Sequence, residues 1–447
     1  MIKLHNSQTR SLEEFIPRDD RLITMYVCGP TVYGPAHIGN ARPAIVFDQL
    51  YRLLEYTYPE SVRYARNITD IDDKIITASI ERGVPISQIT DTATIAYHQD
   101  LEDLCCLSPY MEPKATDYVS SMIILIHKLI DDGHAYEVDG EVFFHVPSNP
   151  HPGLANHTHW NSGARVEVNP KKKDPRDFVL WKPAKEGEPK WFSPWGHGRP
   201  GWHIECSAMI YSLYGGSTID IHGGGQDLRF PHHDAECAQS QCVTGQPLAK
   251  YWLHNGLLTV GSEKMSKSRG NVILLRDLLD QYPGESVRYL FLQSHYRSPM
   301  DFTMEKLASA HRALDRLYNV LWRFDELNYP EAVDAPENVL EALSNDLNTT
   351  AALSALHELA DDLEHGGGAP AKAKFIRGGQ LLGLFNQTPH QWRTFGVDKE
   401  WVEQLISERQ AARRNKDYAR ADEIRQQLAD AGITLADGIH GTEWKKA

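Results

Sequence analysis

Leu22-Ile23-Thr24-Met25-Tyr26-Val27 is an apolar, β-prone run that Gly29-Pro30 breaks. Pro35-Ala36-His37-Ile38-Gly39-Asn40 follows, and over residues 44–56 apolar side chains recur at Val46, Leu50, Leu53 and Leu54, the spacing of one helix face. A strand, a glycine-bearing turn and a helix, in that order, open a nucleotide-binding βα unit. The fold class expected from this stretch is therefore α/β. A second strand is expected at residues 62–67, leading into Thr69-Asp70-Ile71-Asp72-Asp73, and helical patterns continue to about Asp132.

Working outward, residues from about His134 to Pro200 change character. Short strand runs (141–146 and 178–181) stand among Pro, Gly, Lys and Trp, as expected of an insertion between two halves. The α/β pattern then resumes with a helix at 202–214, a strand at 218–222, glycines at 223–225 and a helix from Phe230. Beyond Met304 the chain reads as helical almost throughout, with a turn at His365-Gly366-Gly367-Gly368. Pro330 and Pro336 bracket one connection. The tail from Val402 reads as a charged helical hairpin ending in Asp437-Gly438 and Gly441-Thr442.

A chain of 447 residues exceeds one compact core, so several domains are expected. Its 41% hydrophobic and 24% charged residues exclude a largely disordered chain. The N-terminus lacks the apolar core of a signal peptide, and the best apolar run, 122–126, is too short to span a bilayer. A soluble, cytoplasmic protein is expected. Six scattered cysteines are not the framework of a disulfide scaffold, which leaves metal and packing roles. The net charge of −14 argues against indiscriminate nucleic-acid binding, but a local basic groove can still hold RNA phosphates.

Two clusters carry phosphate chemistry. The helix start at His37-Ile38-Gly39-Asn40 offers backbone N–H groups and positive potential, to which His37 and Asn40 add side-chain donors. Glu263-Lys264-Met265-Ser266-Lys267-Ser268-Arg269-Gly270-Asn271 places two lysines in a loop of small residues, suited to transient phosphate charge. Taken singly, the first reads as an ordinary helix start and the second as a solvated loop. Their order, on opposite sides of one α/β pattern, makes the pair informative.

At these residues the chain resembles the class I aminoacyl-tRNA synthetases. His37-Ile38-Gly39-Asn40 is similar to their HIGH signature, with Asn40 in place of the usual histidine, and Lys264 to Ser268 matches their KMSKS signature letter for letter. The blocks Met25 to Tyr33, Arg66 to Lys74, Gly198 to Ser207 and His222 to Gly225 resemble the cysteinyl-tRNA synthetase family in particular. The tail resembles that family's C-terminal domain. The resemblance covers nearly the whole chain. It implies a Rossmann-type catalytic domain in two halves (1–133 and 201–260), a connective insertion for the acceptor end (134–200) and a KMSKS-bearing region (261–305). A helical bundle (306–395) and a small anticodon-binding domain (400–447) complete the expected architecture.

Cys28 and Cys206 each lie within one of these blocks, and Pro231-His232-His233-Asp234-Ala235-Glu236 opens a helix. Residues four or three apart share a helix face, so either His232 or His233 can join Glu236 at a metal, and spacing does not choose between them. The resemblance implies Cys28, Cys206, His232 and Glu236 as ligands of one Zn²⁺ per chain. No HExxH pattern is present to suggest a zinc hydrolase. Zinc takes a thiolate well and a neutral hydroxyl poorly, so it can separate cysteine from serine where size alone separates poorly. The family further implies that the substrate sulfur joins the four protein ligands.

The remaining roles also follow from the resemblance. His37, Asn40, Lys264 and Lys267 would stabilise charge as the cysteine carboxylate attacks the α-phosphate of ATP-Mg²⁺. His37, Gly39, Asn40, Gly224, Asp227 and Lys267 would bind ATP, and Gly29, Thr31 and Trp202 would border the cysteine. Arg413, Arg414, Asp437 and Trp444 fall in the stretch that contacts the anticodon. Expected partners are tRNA(Cys), ATP and L-cysteine, with no DNA, no membrane and a monomeric chain. Two other readings are a cysteine:amino-sugar ligase of mycothiol synthesis and a non-catalytic tRNA- or zinc-binding paralogue. The anticodon-like tail opposes the first, and the signature lysines oppose the second. Thr77 stands where some relatives carry the second lysine of a persulfide-forming pair, so that activity is not expected.

Overall fold

The computed structural model describes residues 1–150, 153–154, 169–261, 263–264, 270–438 and 441–446. Four parallel strands form the central sheet in the spatial order Ala249–Asn255, Ile219–Gly225, Ile23–Val27, Val62–Arg66. Ile23–Val27 is the first of the four in the chain and lies inside the sheet. The helix Ile38–Thr57 leads to Val62–Arg66 on one side, and Ile219–Gly225 later joins on the other. Strand order therefore reverses between Ile23–Val27 and Ile219–Gly225. A crevice opens beyond the carboxyl ends there, where α/β sheets take their ligands.

Local sequence explains most of this core. Ile23, Met25, Tyr26 and Val27 are all buried, as in parallel strands covered on both faces. The helix Ile38–Thr57 sends Phe47, Leu50, Leu53 and Leu54 into the larger apolar core. It begins six residues earlier than the apolar spacing suggested, because Pro43 sits inside the helix near its start. In that second turn its ring removes the donor to the Gly39 carbonyl and crowds the same carbonyl, a local cost that the buried face of the helix offsets.

Between residues 135 and 200 lies a five-stranded antiparallel sheet ordered Ala135–Val138, Glu141–Phe144, Phe178–Pro183, Gly196–Pro200, Trp191–Ser193. Its last inner strand runs directly into the helix Trp202–Tyr214. A smaller sheet pairs Leu258–Val260 with Glu263–Lys264 and with Met300–Phe302. From Met304 the helices Met304–Arg323, Glu337–Ser344, Thr349–Asp362 and Gly368–Leu381 pack against the same apolar core as the central sheet. The helices Lys399–Arg414 and Tyr418–Asp430 instead surround a separate small core of Val402, Leu405, Ile406, Ile424, Leu428 and Ile433.

Three local expectations are corrected. The glycines at 223–225 belong to the strand Ile219–Gly225 rather than to a turn after it, with Gly223 paired to Leu253 and Gly225 to Asn255. Their lack of side chains serves packing: a Cβ at Gly223 would overlap the Phe47 ring. The helix expected from Phe230 starts regularly only at Asp234, because Phe230 has extended backbone (φ −138°, ψ 131°). The tail ends in an antiparallel hairpin, Ile433–Gly438 with Gly441–Lys446, where a helical hairpin alone was expected. Its strands carry Thr434, Glu443 and Lys445 among few apolar residues, so no clear two-residue period announces them.

Candidate active site

The crevice at the switch in strand order is a cleft of about 1040 Å³. Cys28, Gly29, Thr31, Trp202, Cys206 and His232 line one part of it, and His37, Gly39, Asn40 and Asp227 another. Cys28 follows the strand Ile23–Val27 and donates its backbone N–H to the Gly223 carbonyl at 3.1 Å. Cys206 lies in the second turn of the helix Trp202–Tyr214. His232 comes from the irregular turn before the helix Asp234–Thr244, and Glu236 from that helix's first turn.

All four side chains are buried, and their ligand atoms lie within 4.8 Å of one another. Cys28 Sγ is 3.6 Å from Cys206 Sγ and 3.4 Å from Glu236 Oε1, which is 3.0 Å from His232 Nε2. Tetrahedral zinc with ordinary bond lengths needs S···S near 3.8 Å, S···O near 3.6 Å and N···O near 3.3 Å, so each observed spacing lies within about 0.3 Å of the requirement. The donor set fits zinc in chemistry and in spacing.

A second group, Cys28, His222, His233 and Glu236, also meets the 4.8 Å limit. There His222 Nε2 stands 2.5 Å from Glu236 Oε2, a hydrogen-bond separation well short of the ~3.3 Å between ligands of one ion. His222 is thus the partner of the carboxylate's other oxygen, the kind of outer contact that orients a ligand. His233 instead pairs its Nδ1 with His254 Nε2 at 2.8 Å. The geometry favours His232, between two histidines that spacing had left equivalent.

The electrostatics point the same way. Burial opposes ionisation of Glu236, yet the charge and hydrogen bonds of His222 and His232 hold its carboxyl well below the usual range. A hydrogen bond from Cys28 outweighs burial to bring the Cys206 thiol down to about 6, while burial pushes Cys28 up. Burial likewise opposes charge on His232, but Glu236 and Cys206 lift it to about 10. Glu236 and Cys206 thus set negative charge against His232. A cation can take the place of its proton.

The neighbouring groups are held with comparable precision. Asn67 Oδ1 accepts the Gly29 N–H at 2.9 Å, and Thr31 bridges to Thr69, so the loop after Cys28 is tied to the loop after Val62–Arg66. Trp202, half exposed to the cleft, stacks on His232 with centroids 4.3 Å apart. His37 precedes the helix Ile38–Thr57, and Asn40 Oδ1 accepts the His37 N–H at 3.0 Å, which reserves the amide NH₂ as the donor end. Gly224 is buried, where a Cβ would come 2.9 Å from His233 Cε1, and Asp227 is exposed beside it.

The described residues on either side of 265–269 are anchored. Ile38 donates its N–H to Ile273 and Leu275 donates to Ala36, which joins the end of the 263–271 cluster to the start of the first helix. Lys264 lies in the short strand Glu263–Lys264, and Lys267 lies outside the described residues. Buried Arg42 adds a link that sequence reading missed: its guanidinium donates to the carbonyls of Leu257 (2.7 Å), Tyr296 (3.4 Å) and Ser298. Asn67 was missed as well. The signal for Asn67 was a polar residue inside the block Arg66 to Lys74, and Arg42 lies just past the helix-start motif; the partners of both are distant in sequence.

Arg413 and Arg414 are exposed at the end of Lys399–Arg414. Asp437 lies in Ile433–Gly438, opposite Thr442, and Trp444 packs partly on the small C-terminal core, its ring 6.4 Å from that of His390. No helix among the described residues is long and apolar enough to cross a membrane.

Comparison with known proteins adds independent findings. Residues 14–312 match the family model of the tRNA synthetases class I (C) catalytic domain, and residues 399–444 that of the cysteinyl-tRNA ligase anticodon binding domain. A cysteine–tRNA ligase of Parvibaculum lavamentivorans is 51% identical, covering 100% of this chain and 98% of its own length. One from Rhodospirillum rubrum is 50% identical with 100% coverage of both. In fold the chain is similar to Mycobacterium tuberculosis methionyl-tRNA synthetase bound by methionyl-adenylate, with a TM-score of 0.55 at 14% identity over 85% of this chain and 97% of that one.

Proposed function

The chain belongs to the cysteine–tRNA ligase family of class I aminoacyl-tRNA synthetases, and on that premise we propose that Cys28, Cys206, His232 and Glu236 hold one zinc ion that selects cysteine by its thiolate. The observation carrying this reading is the set of four buried donor atoms within 4.8 Å of one another, beside the cleft. Zinc bound there would favour a sulfur ligand over the serine hydroxyl.

The chain's own residues do the rest. Trp202 offers the cysteine an aromatic wall, while Gly29 and Thr31 border it near its amino and carboxylate groups. Asp227 accepts hydrogen bonds from the ATP ribose, and Gly39 and Gly224 let the nucleotide come close to backbone. His37, Asn40, Lys264 and Lys267 stabilise the charge that develops as the carboxylate attacks the α-phosphate, in ATP accompanied by Mg²⁺. These roles are electrostatic, so none of the four has to give up a proton. The activated cysteine then passes to the 3′ end of tRNA(Cys), with the 134–200 segment at the acceptor end and Arg413, Arg414, Asp437 and Trp444 toward the anticodon. We read the protein as a cytoplasmic monomer with no DNA or membrane partner.

The test is charging of purified tRNA with cysteine or serine, before and after chelation. Expected is cysteine charging that chelation abolishes and zinc restores, with serine charged poorly throughout. Equal charging of serine by the zinc-bearing enzyme would remove the thiolate-selection reading. Cysteine-dependent pyrophosphate exchange without tRNA charging would favour an amino-sugar acceptor.

A further inference from the structure

We infer that His203 is a positioning residue for the metal-binding cluster, accepting a hydrogen bond from His232 that fixes which ring nitrogen His232 presents to the ion. The inference rests on the zinc reading above. His232 turns Nε2 toward Glu236 Oε1 at 3.0 Å and Nδ1 toward His203 Nδ1, also at 3.0 Å. A ligating imidazole offers a lone pair, so Nε2 is unprotonated and the neutral ring carries its proton on Nδ1. That proton points at His203 Nδ1, which must then be the acceptor, with the His203 proton on its own Nε2.

Metal-bound histidines most often donate this second N–H to a carboxylate, a carbonyl or water. Here the acceptor is another imidazole, and the difference has a charge rationale. Cys28, Cys206 and Glu236 already bring three negative charges to a dication. A carboxylate at 203 would add a fourth beside a site that must still accept a thiolate. A neutral ring fixes the orientation of His232 without that repulsion.

His203 is itself held on several sides. It sits in the first turn of Trp202–Tyr214, immediately after the inserted sheet delivers Gly196–Pro200. Gly201 donates its N–H to the Leu180 carbonyl at 2.8 Å, and a Cβ at Gly201 would overlap the Val179 carbonyl. The Phe178 ring meets His203 edge-on at 5.4 Å, and Gln239 Nε2 donates to the His203 carbonyl at 2.7 Å. With Trp202 stacked on the face of His232, consecutive residues at the exit of the inserted sheet hold one ligand ring by face and by edge.

The experiment uses the full-length zinc protein and its His203→Leu and His203→Gln variants, with His232→Ala as control. Zinc affinity is read by chelator competition, and ligand geometry by the visible spectrum of the cobalt-substituted protein. Loss of such an outer partner costs about 10–100-fold in metal affinity, so His203→Leu is expected to fall in that range with altered cobalt bands. The cysteine KM should rise more than kcat falls. His203→Gln, whose carbonyl can accept the same bond, should recover most of the loss. Wild-type affinity and spectrum in a folded His203→Leu chain would overturn the inference alone. If that chain does not fold, His203→Gln decides: zinc affinity within about threefold of wild type supports the inference, and a loss as large as that of His232→Ala overturns it. A wild type that binds no zinc, or a His232→Ala chain that binds it undiminished, overturns the zinc reading and this inference together.

Discussion

Replacing Arg42 by methionine should uncouple the two proposed phosphate-handling segments while leaving the candidate metal cluster intact. Burial lowers the Arg42 guanidinium to about 10, a cost of roughly 3–4 kcal/mol at about 1.4 kcal/mol per pKa unit. Two strong charge-assisted hydrogen bonds, to Leu257 and Ser298, return about 3–6 kcal/mol at ~1.5–3 each. The ion therefore roughly balances its own burial, and its contribution lies in the carbonyls it satisfies. Methionine fills similar space but donates nothing, so those two carbonyls lose about 1–3 kcal/mol each. The strain falls where the backbone can relax, in the segments that flank Leu258–Val260, Glu263–Lys264 and Met300–Phe302. A loss of ~3 kcal/mol in the anchoring of the signature lysines corresponds to roughly a hundredfold in rate. Cysteine-dependent ATP–pyrophosphate exchange should show kcat down by about 10–100-fold, with zinc content unchanged and the cysteine KM within about twofold. A folded Arg42→Met enzyme with wild-type kcat would refute the idea that this arginine sets the geometry of the lysine segment.

Glu236→Gln keeps the shape but removes the charge that faces both His222 and His232; zinc affinity should drop by at least about 100-fold, as measured by metal content after dialysis against a weak chelator. Asp48→Asn strips the buried partner of Arg288 and Arg52 and should cost about 3–5 kcal/mol in urea unfolding. Although burial opposes it, Arg288 and Arg52 hold the Asp48 carboxyl below its usual 3.8, so this contribution is present above about pH 4 and fades as pH falls through the folded value. The variant's deficit should shrink correspondingly in acid. Removing residues 398–447 deletes the separate C-terminal core, and pyrophosphate exchange should survive while tRNA charging falls by about 100-fold or more.

The sequence made the α/β class readable because Leu22 to Val27 and the helix after it carry unmixed periodicities and a glycine-proline break. The two candidate phosphate clusters could be singled out because each is contiguous. Contiguity fails at the candidate metal cluster, whose members lie at 28, 206, 232 and 236. Helical spacing offered His232 and His233 equally, since the choice depends on the extended Phe230 and on His222 occupying the other oxygen of Glu236. The strand through Gly223 to Gly225 was read too short because glycine disfavours strands, whereas here the Phe47 ring demands it. Arg42 and Asn67 escaped for a third reason: each acts on backbone atoms, and a backbone carbonyl or N–H leaves no trace in the residue code.

The four donors have a further physical consequence through their origins. Cys28 comes from the end of the first central strand, Cys206 from the helix that follows the inserted sheet, and His232 and Glu236 from the turn and helix after the strand Ile219–Gly225. No two of these three sources are adjacent in the chain, so the cluster closes only when all three segments have docked at the switch in strand order. An ion held there therefore constrains the width of the cleft as well as offering a site to sulfur. Trp202 and His203 extend that constraint into the inserted sheet, since the residues that touch His232 by face and by edge are the first two beyond Gly201. Displacement of the inserted sheet must move the rings that touch His232, so on the proposed reading acceptor-end contacts and thiol recognition would share one mechanical element.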